Sequence, residues 1–246
     1  MSGVNEDYNA ISSVYSQISK LPLMVLERQL VAHALSSCKG QTILDLGGGN
    51  GIHARKALEL GASSVDVVDI SSGMLKDGKT ITAASGVNPA MIRWFEGDIS
   101  STLAHLPLHK SYDVILVGWT FDHAETEDQL LGMWRNVTTY AATGAKLINT
   151  RLAYIPKAEE TDGIEKYGFL YPDYKEIPGG ISYTYEAFTD PPLRCPATSL
   201  TNTLDFDESK SIARQHGFRD YQVVDSEQMD VVKEDPAFWR RFVDQP

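Results

Sequence analysis

This chain of 246 residues is poor in several things, and each shortage excludes a class of protein. Two cysteines, Cys38 and Cys195, are too few for a disulfide framework, so both read as buried thiols under reducing conditions. No apolar run approaches the ~18 residues of a membrane span. The opening MSGVNEDYNAISSVYSQ has neither the basic nor the apolar segment of a secretory leader. A cytoplasmic location with no membrane partner is therefore expected. Lysine and arginine do not cluster, and the formal net charge is −11. Such a surface repels phosphate backbones, so no nucleic-acid partner is expected. His33, His105, His109 and His216 show no ligand spacing, and no metal is expected. Internal repeats and low-complexity tracts are missing too.

What is present suits a globular fold: 42% hydrophobic and 22% charged residues are ordinary proportions, and the length buries a sizeable core. Residues 8–37 carry Leu23, Leu26, Leu30 and Ala34 at helical spacing, with Pro22 as a break or first turn. From 41 onward, apolar strands alternate with helices. Strands are expected at 42–46, 64–70, 91–98, 112–121 and 145–152, and helices at 52–60, 72–85 and 126–142. This βαβαβ order argues for a parallel sheet covered on both faces. After 153 the texture changes. Residues 154–196 hold more than half of the prolines and six of the eleven tyrosines, and read as an aromatic-rich insertion without a core of its own. Strands at 197–206 and 220–225, a helix at 207–216 and a short C-terminal helix complete the pattern. The whole is expected to be one domain, with a helical cap (1–40), a cofactor-binding core (41–152), a substrate lid (153–196) and C-terminal strands and helices (197–246).

The most patterned stretch is DLGGGNG, residues 45–51. Glycines this dense cost backbone entropy, and they stand where an open α/β sheet binds ligands, beyond the carboxyl end of a strand. Asp69 ends the next strand about 20 residues later, the offset expected of a carboxylate gripping two ribose hydroxyls. Two cofactors compete for such a loop. A dinucleotide places its pyrophosphate at the helix N-terminus, and Gly49-Asn50-Gly51-Ile52-His53-Ala54 loosely satisfies that pattern. Asp45, an anion just before the loop, repels a pyrophosphate and favours a cation. S-adenosyl-L-methionine carries an ammonium and a sulfonium and no phosphate, so Asp45 tips the balance toward it. Asp98, in EGDIS at the end of the third strand, suits the adenine amino group, and Met74 suits the adenine face.

These pieces resemble the class I S-adenosylmethionine-dependent methyltransferases. Within them the chain is similar to the toxoflavin-synthase-type small-molecule enzymes, through YNAISSVYSQ, DLGGGNG, VDIS..ML, YDVILVGWTFDHAETEDQLLGMWRNV and KYGF. The resemblance implies a Rossmann-like sheet of seven mostly parallel strands, the last antiparallel, with an N-terminal helical cap and an insertion after strand five. It implies that Tyr8, and with it Tyr15, closes over the methionine carboxylate. It gives Asp45 to the ammonium, the backbone of Gly47 and Gly49 to the methionyl part, and Asp69 to the ribose. Ile70 and Met74 fall beside the adenine, Asp98 and Ile99 at its edge, and Gly118 and Trp119 near the sulfonium. The turn AATGAK departs from the L-K-P-G-G usual in this superfamily.

Methyl transfer is an in-line displacement that needs alignment and exclusion of water. His123, just after strand four, is the preferred base, because an unperturbed imidazole accepts a proton near neutral pH. His53, inside the first crossover helix, reads as structural. Tyr154, Tyr167, Phe169, Tyr171 and Tyr174 are the expected walls of a pocket for a planar or apolar small-molecule acceptor, and a role in secondary metabolism is expected with it. Two other classes share the glycine loop: an S-adenosylmethionine-binding fold with a non-methylating role, such as a cyclisation catalyst or a partner subunit, and a nicotinamide-dependent oxidoreductase. Neither the acceptor atom nor the oligomeric state is encoded in these patterns.

Overall fold

The computed structural model describes residues 17–151, 155, 163–200 and 206–244. Five strands form a parallel sheet in the order β3-β2-β1-β4-β5. They are β1 (Thr42–Leu46), β2 (Ser64–Asp69), β3 (Ile92–Glu96), β4 (Tyr112–Gly118) and β5 (Ala141–Thr150). The strand order reverses between β1 and β4, so the crevice beyond their carboxyl ends is the ligand-binding position of such a sheet.

Period-two alternation decides which face each side chain joins. Leu44, Leu46, Ile115 and Val117 turn to one face, against Leu130, Met133 and Val137 of α4 (Glu127–Tyr140) and against Ile212 and Ala213 of α5 (Phe206–Gln215). Ile43, Val65, Val67, Val114 and Leu116 turn to the other. There they meet Val31 of α1 (Pro22–Ala34), Ala54 and Ala57 of α2 (Ile52–Glu59) and Leu75 of α3 (Ser72–Ala84). Pro22 stands in the first turn of α1, where its missing N–H costs nothing. Thr126 and Gln129 close a reciprocal capping box at the start of α4.

Three expectations are corrected. First, α4 ends at Tyr140 and β5 begins at once, so the strand starts at 141 and not at 145. The AATGAK stretch is absorbed by an irregularity in the β4–β5 pairing, with Gly144 at φ 79°. Second, among the described residues the parallel sheet has five strands, not seven. Residues 221–225 lie outside any strand; of the strand expected at 197–206, residues 197–200 belong to β9 (Leu193–Leu200) in a different sheet, and 201–205 lie outside the described residues.

Third, the aromatic-rich stretch is not without a core. It folds as a small antiparallel sheet of β6 (Phe169–Leu170), β7 (Lys175–Ile177), β8 (Gly180–Ala187) and β9. Its buried face, including Phe169, Tyr171, Ile181, Tyr183 and Leu193, packs with Leu23 and Leu26 of α1. Val232 of α6 (Asp230–Glu234) and Trp239 of α7 (Pro236–Val243) close the same cluster. Cys38 and Cys195 are both buried. No helix among the described residues is long and apolar enough to cross a membrane.

Candidate functional site

Two adjoining clefts lie at the β1/β4 crevice. The first is polar. Asp45, Gly47, Gly48, Gly49 and Asn50 form its floor, Glu27 and Arg28 of α1 one wall, and His53, Gly118 and Trp119 the other. The second is walled by Phe169, Tyr171, Tyr183 and Tyr185 of the small sheet and by Leu23 and Met24 of α1, with Trp119, Asp122 and His123 beneath. Ile18, Met24 and Trp119 line both.

The glycine loop is shaped by close approaches. Gly47 has φ 73°, and a Cβ on it would stand 2.3 Å from Thr120 Oγ1, so no other residue fits there. Gly49, at φ 53°, donates its N–H to Asp69 Oδ2 at 2.8 Å. The loop's other donors are occupied as well: Gly47 and Gly48 donate to the Val68 carbonyl, and Gly51 to that of Gly48. The N–H groups of all four loop glycines are thus taken up inside the protein and are not offered to a ligand.

Asp45 is 1% exposed, and its Oδ2 is buried with no hydrogen-bond partner among the described residues. Burial is the main cause that pushes its carboxyl up to about 7; Asp69 and Glu27 push the same way, and His53 opposes them. Asp69 is also buried and is pushed up to about 6 by that burial, against the pull of N–H bonds from Ser71 and Gly49. Two buried carboxylates, one with an orphaned oxygen, form a cradle for a cation and a poor one for phosphate.

The remaining expected cofactor residues are distributed as follows. Met74 is buried on α3, its Cε 3.0 Å from where a Cβ of Gly49 would stand. Ile70 is half-buried just past β2. Asp98 Oδ1 accepts from the Ser100 N–H and hydroxyl at 2.8 and 2.7 Å, which curls the loop after β3, and Ile99 is buried beneath it. Gly118 ends β4. Trp119 follows with φ 61°, a left-handed conformation uncommon for a bulky residue. Its indole N–H is buried with no hydrogen-bond partner among the described residues. Tyr8, Tyr15 and Tyr154 lie outside the described residues.

Of the expected acceptor-pocket residues, Phe169 and Tyr171 line the second cleft, whereas Tyr167 and Tyr174 do not. Tyr167 is instead stacked on Trp239, 5.1 Å between ring centres, and its hydroxyl bonds backbone of α7. His123 ends the short 3-10 turn Thr120–His123 and faces the cleft; burial pushes its imidazole down to about 4, so it is neutral at physiological pH. Among the described residues no group of three or more His, Cys, Asp or Glu side chains comes together to hold a metal ion.

Several residues at the clefts escape the sequence patterns. Tyr183 and Tyr185 follow from the alternation in ISYTYEA, which sends 181, 183 and 185 to one face of β8. Asp122 is buried and accepts a 2.7 Å hydrogen bond from the Ser199 hydroxyl. Glu27 and His53 form a buried ion pair at 3.0 Å on the polar cleft. Burial is the largest single influence and works against the His53 imidazolium, yet Glu27 and Asp45 together make the net shift upward.

Residues 43–140 match the family model Methyltransf_25, the methyltransferase domain. That segment is accordingly similar to methyltransferase domains. An uncharacterised protein of Haemophilus influenzae is 29% identical over 135 residues, covering 51% of this chain and 50% of that protein. The chain thus spans about half the length of the curated relative it matches. Among solved structures, the CcbJ methyltransferase of Streptomyces caelestis aligns with TM-score 0.61 at 19% identity, over 84% of each chain. A putative S-adenosylmethionine-dependent methyltransferase of Listeria monocytogenes aligns with TM-score 0.57 at 16% identity, over 89% of this chain and 93% of that one. At these identities the two structures speak for the fold alone.

Proposed function

We propose that this protein is an S-adenosyl-L-methionine-dependent methyltransferase acting on a small, planar and largely apolar acceptor. The observation that carries the proposal is the pair of adjoining clefts with a common wall: an acidic one on the glycine loop and an aromatic one under the small sheet, sharing Ile18, Met24 and Trp119. When bound, the cofactor supplies a methyl group on a sulfonium for in-line transfer to an N, O or C nucleophile. The orphaned oxygen of Asp45 and the buried Asp69 suit its ammonium and ribose, and Asp98 with Ile99 suits the adenine edge.

The chain's own residues then have distinct tasks. The tyrosines, Phe169 and Leu23 keep water from the transfer site, which a displacement at a sulfonium needs. Trp119 offers an indole N–H with no partner among the described residues, so a hydrogen-bond-accepting group of the substrate is oriented by it. A His123 kept neutral adds no positive charge beside a sulfonium. The motif resemblance to the toxoflavin-synthase-type enzymes supports a small-molecule acceptor and a place in secondary metabolism, and the acidic surface supports a cytoplasmic enzyme without nucleic-acid partners.

Incubation with S-adenosyl-L-methionine and a set of planar phenols, enols and heteroaromatic N–H compounds tests this. S-adenosylhomocysteine is expected to accumulate only when a fitting acceptor is present. Tight cofactor binding with no acceptor-dependent turnover across the set would favour a non-methylating role.

A further inference from the structure

Glu27 is an anomaly in its helix. The buried residues of α1 are Leu23, Leu26, Glu27 and Val31, so one carboxylate stands within an otherwise apolar stripe. It is 3% exposed. One of its oxygens is satisfied: Oε1 meets His53 Nε2 at 3.0 Å and accepts from Thr150 Oγ1 at 3.4 Å. The other, Oε2, is buried with no hydrogen-bond partner among the described residues. The same is true of Asp45 Oδ2, and both residues line the same cleft. Two buried carboxylates therefore share a cleft, each with an oxygen left without a donor.

Leaving such oxygens unpaired is costly, so a donor that enters the cleft regains what folding gave up. The charges define that donor. Glu27 and Asp45 supply two carboxylates; Arg28, on the same cleft, supplies a guanidinium, and His53 is already paired with Glu27. The balance fits an amino-acid head that is itself a zwitterion. It does not fit a diphosphate.

We propose that Glu27 binds the α-ammonium of the cofactor's methionyl portion, forming with Asp45 a two-carboxylate clamp that couples α1 to the glycine loop. His53 and Thr150 are its positioning residues: they hold Oε1 and so present Oε2. The clamp rests on the S-adenosylmethionine reading and adds a second, independent carboxylate, contributed by the helix that also walls the acceptor cleft. Occupation of the cofactor cleft then fixes Leu23 and Met24 of the same helix at the acceptor cleft.

The test is calorimetric binding of S-adenosylhomocysteine and of its deamino analogue, in which hydrogen replaces the amino group. Wild-type protein is expected to prefer the amine by tenfold or more. Glu27→Gln is expected to reduce that preference by about tenfold, as for one charge-assisted hydrogen bond, while leaving affinity for the deamino analogue within about twofold. Glu27→Asp, which keeps the charge on a shorter arm, is expected to restore part of it. Because each ratio is taken within one protein sample, a loss of folded protein cancels. An unchanged ratio in Glu27→Gln, or an equal loss for both ligands, overturns the clamp alone. Failure of S-adenosylhomocysteine to bind wild-type protein overturns the cofactor reading and the clamp together.

Discussion

At the scale of single residues, burial decides what each titratable group can do. Asp45 is poised at about 7 in the free protein, with His53, Glu27 and Asp69 around it. A bound ammonium favours its carboxylate form, so below about pH 7 a proton must leave before the ligand is fully held. Affinity for S-adenosylhomocysteine is therefore expected to rise from pH 5.5 to 8, by at most about tenfold per unit for this group. Protonation of His53 at the acid end acts in the same direction, because it offsets Glu27. Asp45→Asn is expected to weaken binding and flatten the profile, which calorimetry at several pH values checks. His123 is the converse case. With its imidazole pushed down to about 4 it is a hydrogen-bond acceptor throughout the neutral range and a weak proton acceptor. The kcat profile is expected to show no inflection near 6.5 from this residue. His123→Ala is expected to lower kcat by about tenfold or more while leaving cofactor affinity within about twofold. Unchanged turnover removes His123 from the mechanism.

At the scale of elements, the two tyrosines flanking β6 have separate roles. Tyr167 accepts the Phe242 N–H and donates to the Phe238 carbonyl, both at 3.1 Å, tying α7 to the start of the small sheet. Tyr171 is buried in the acceptor cleft. Tyr167→Phe is expected to cost about 1–3 kcal/mol of stability with no change in acceptor KM. Tyr171→Phe is expected to change acceptor KM with little effect on the melting temperature. Thermal melts paired with steady-state kinetics separate the two.

This difference is also where sequence legibility ends. β1, β2 and β4 stand out because strands buried on both faces read as continuous apolar runs, and DLGGGNG marks the crevice because a positive φ at Gly47 leaves glycine no substitute. The small sheet is opaque: β6 and β7 are only two and three residues long, and what each tyrosine touches depends on pairing across a sheet and on α1 and α7. Glu27 and His53 are opaque for the same reason. They meet only because α1 folds against α2, and neither segment alone signals a partner.

At the scale of the molecule, two layers of different origin meet at one line. The parallel sheet supplies the acid-lined loop, and the antiparallel sheet supplies the aromatic walls. α1 and the Gly118–His123 segment belong to both clefts, so in the proposed reading the methyl donor and its acceptor are neighbours across Trp119. The central claim is that buried carboxylates select a cationic, phosphate-free cofactor at this loop, where a dinucleotide is the alternative. The most direct measurement is calorimetric titration of the protein with S-adenosylhomocysteine and, in parallel, with NAD at pH 7.5. The account predicts one S-adenosylhomocysteine bound per chain and no heat of binding from NAD. Saturable binding of NAD without binding of S-adenosylhomocysteine would contradict it.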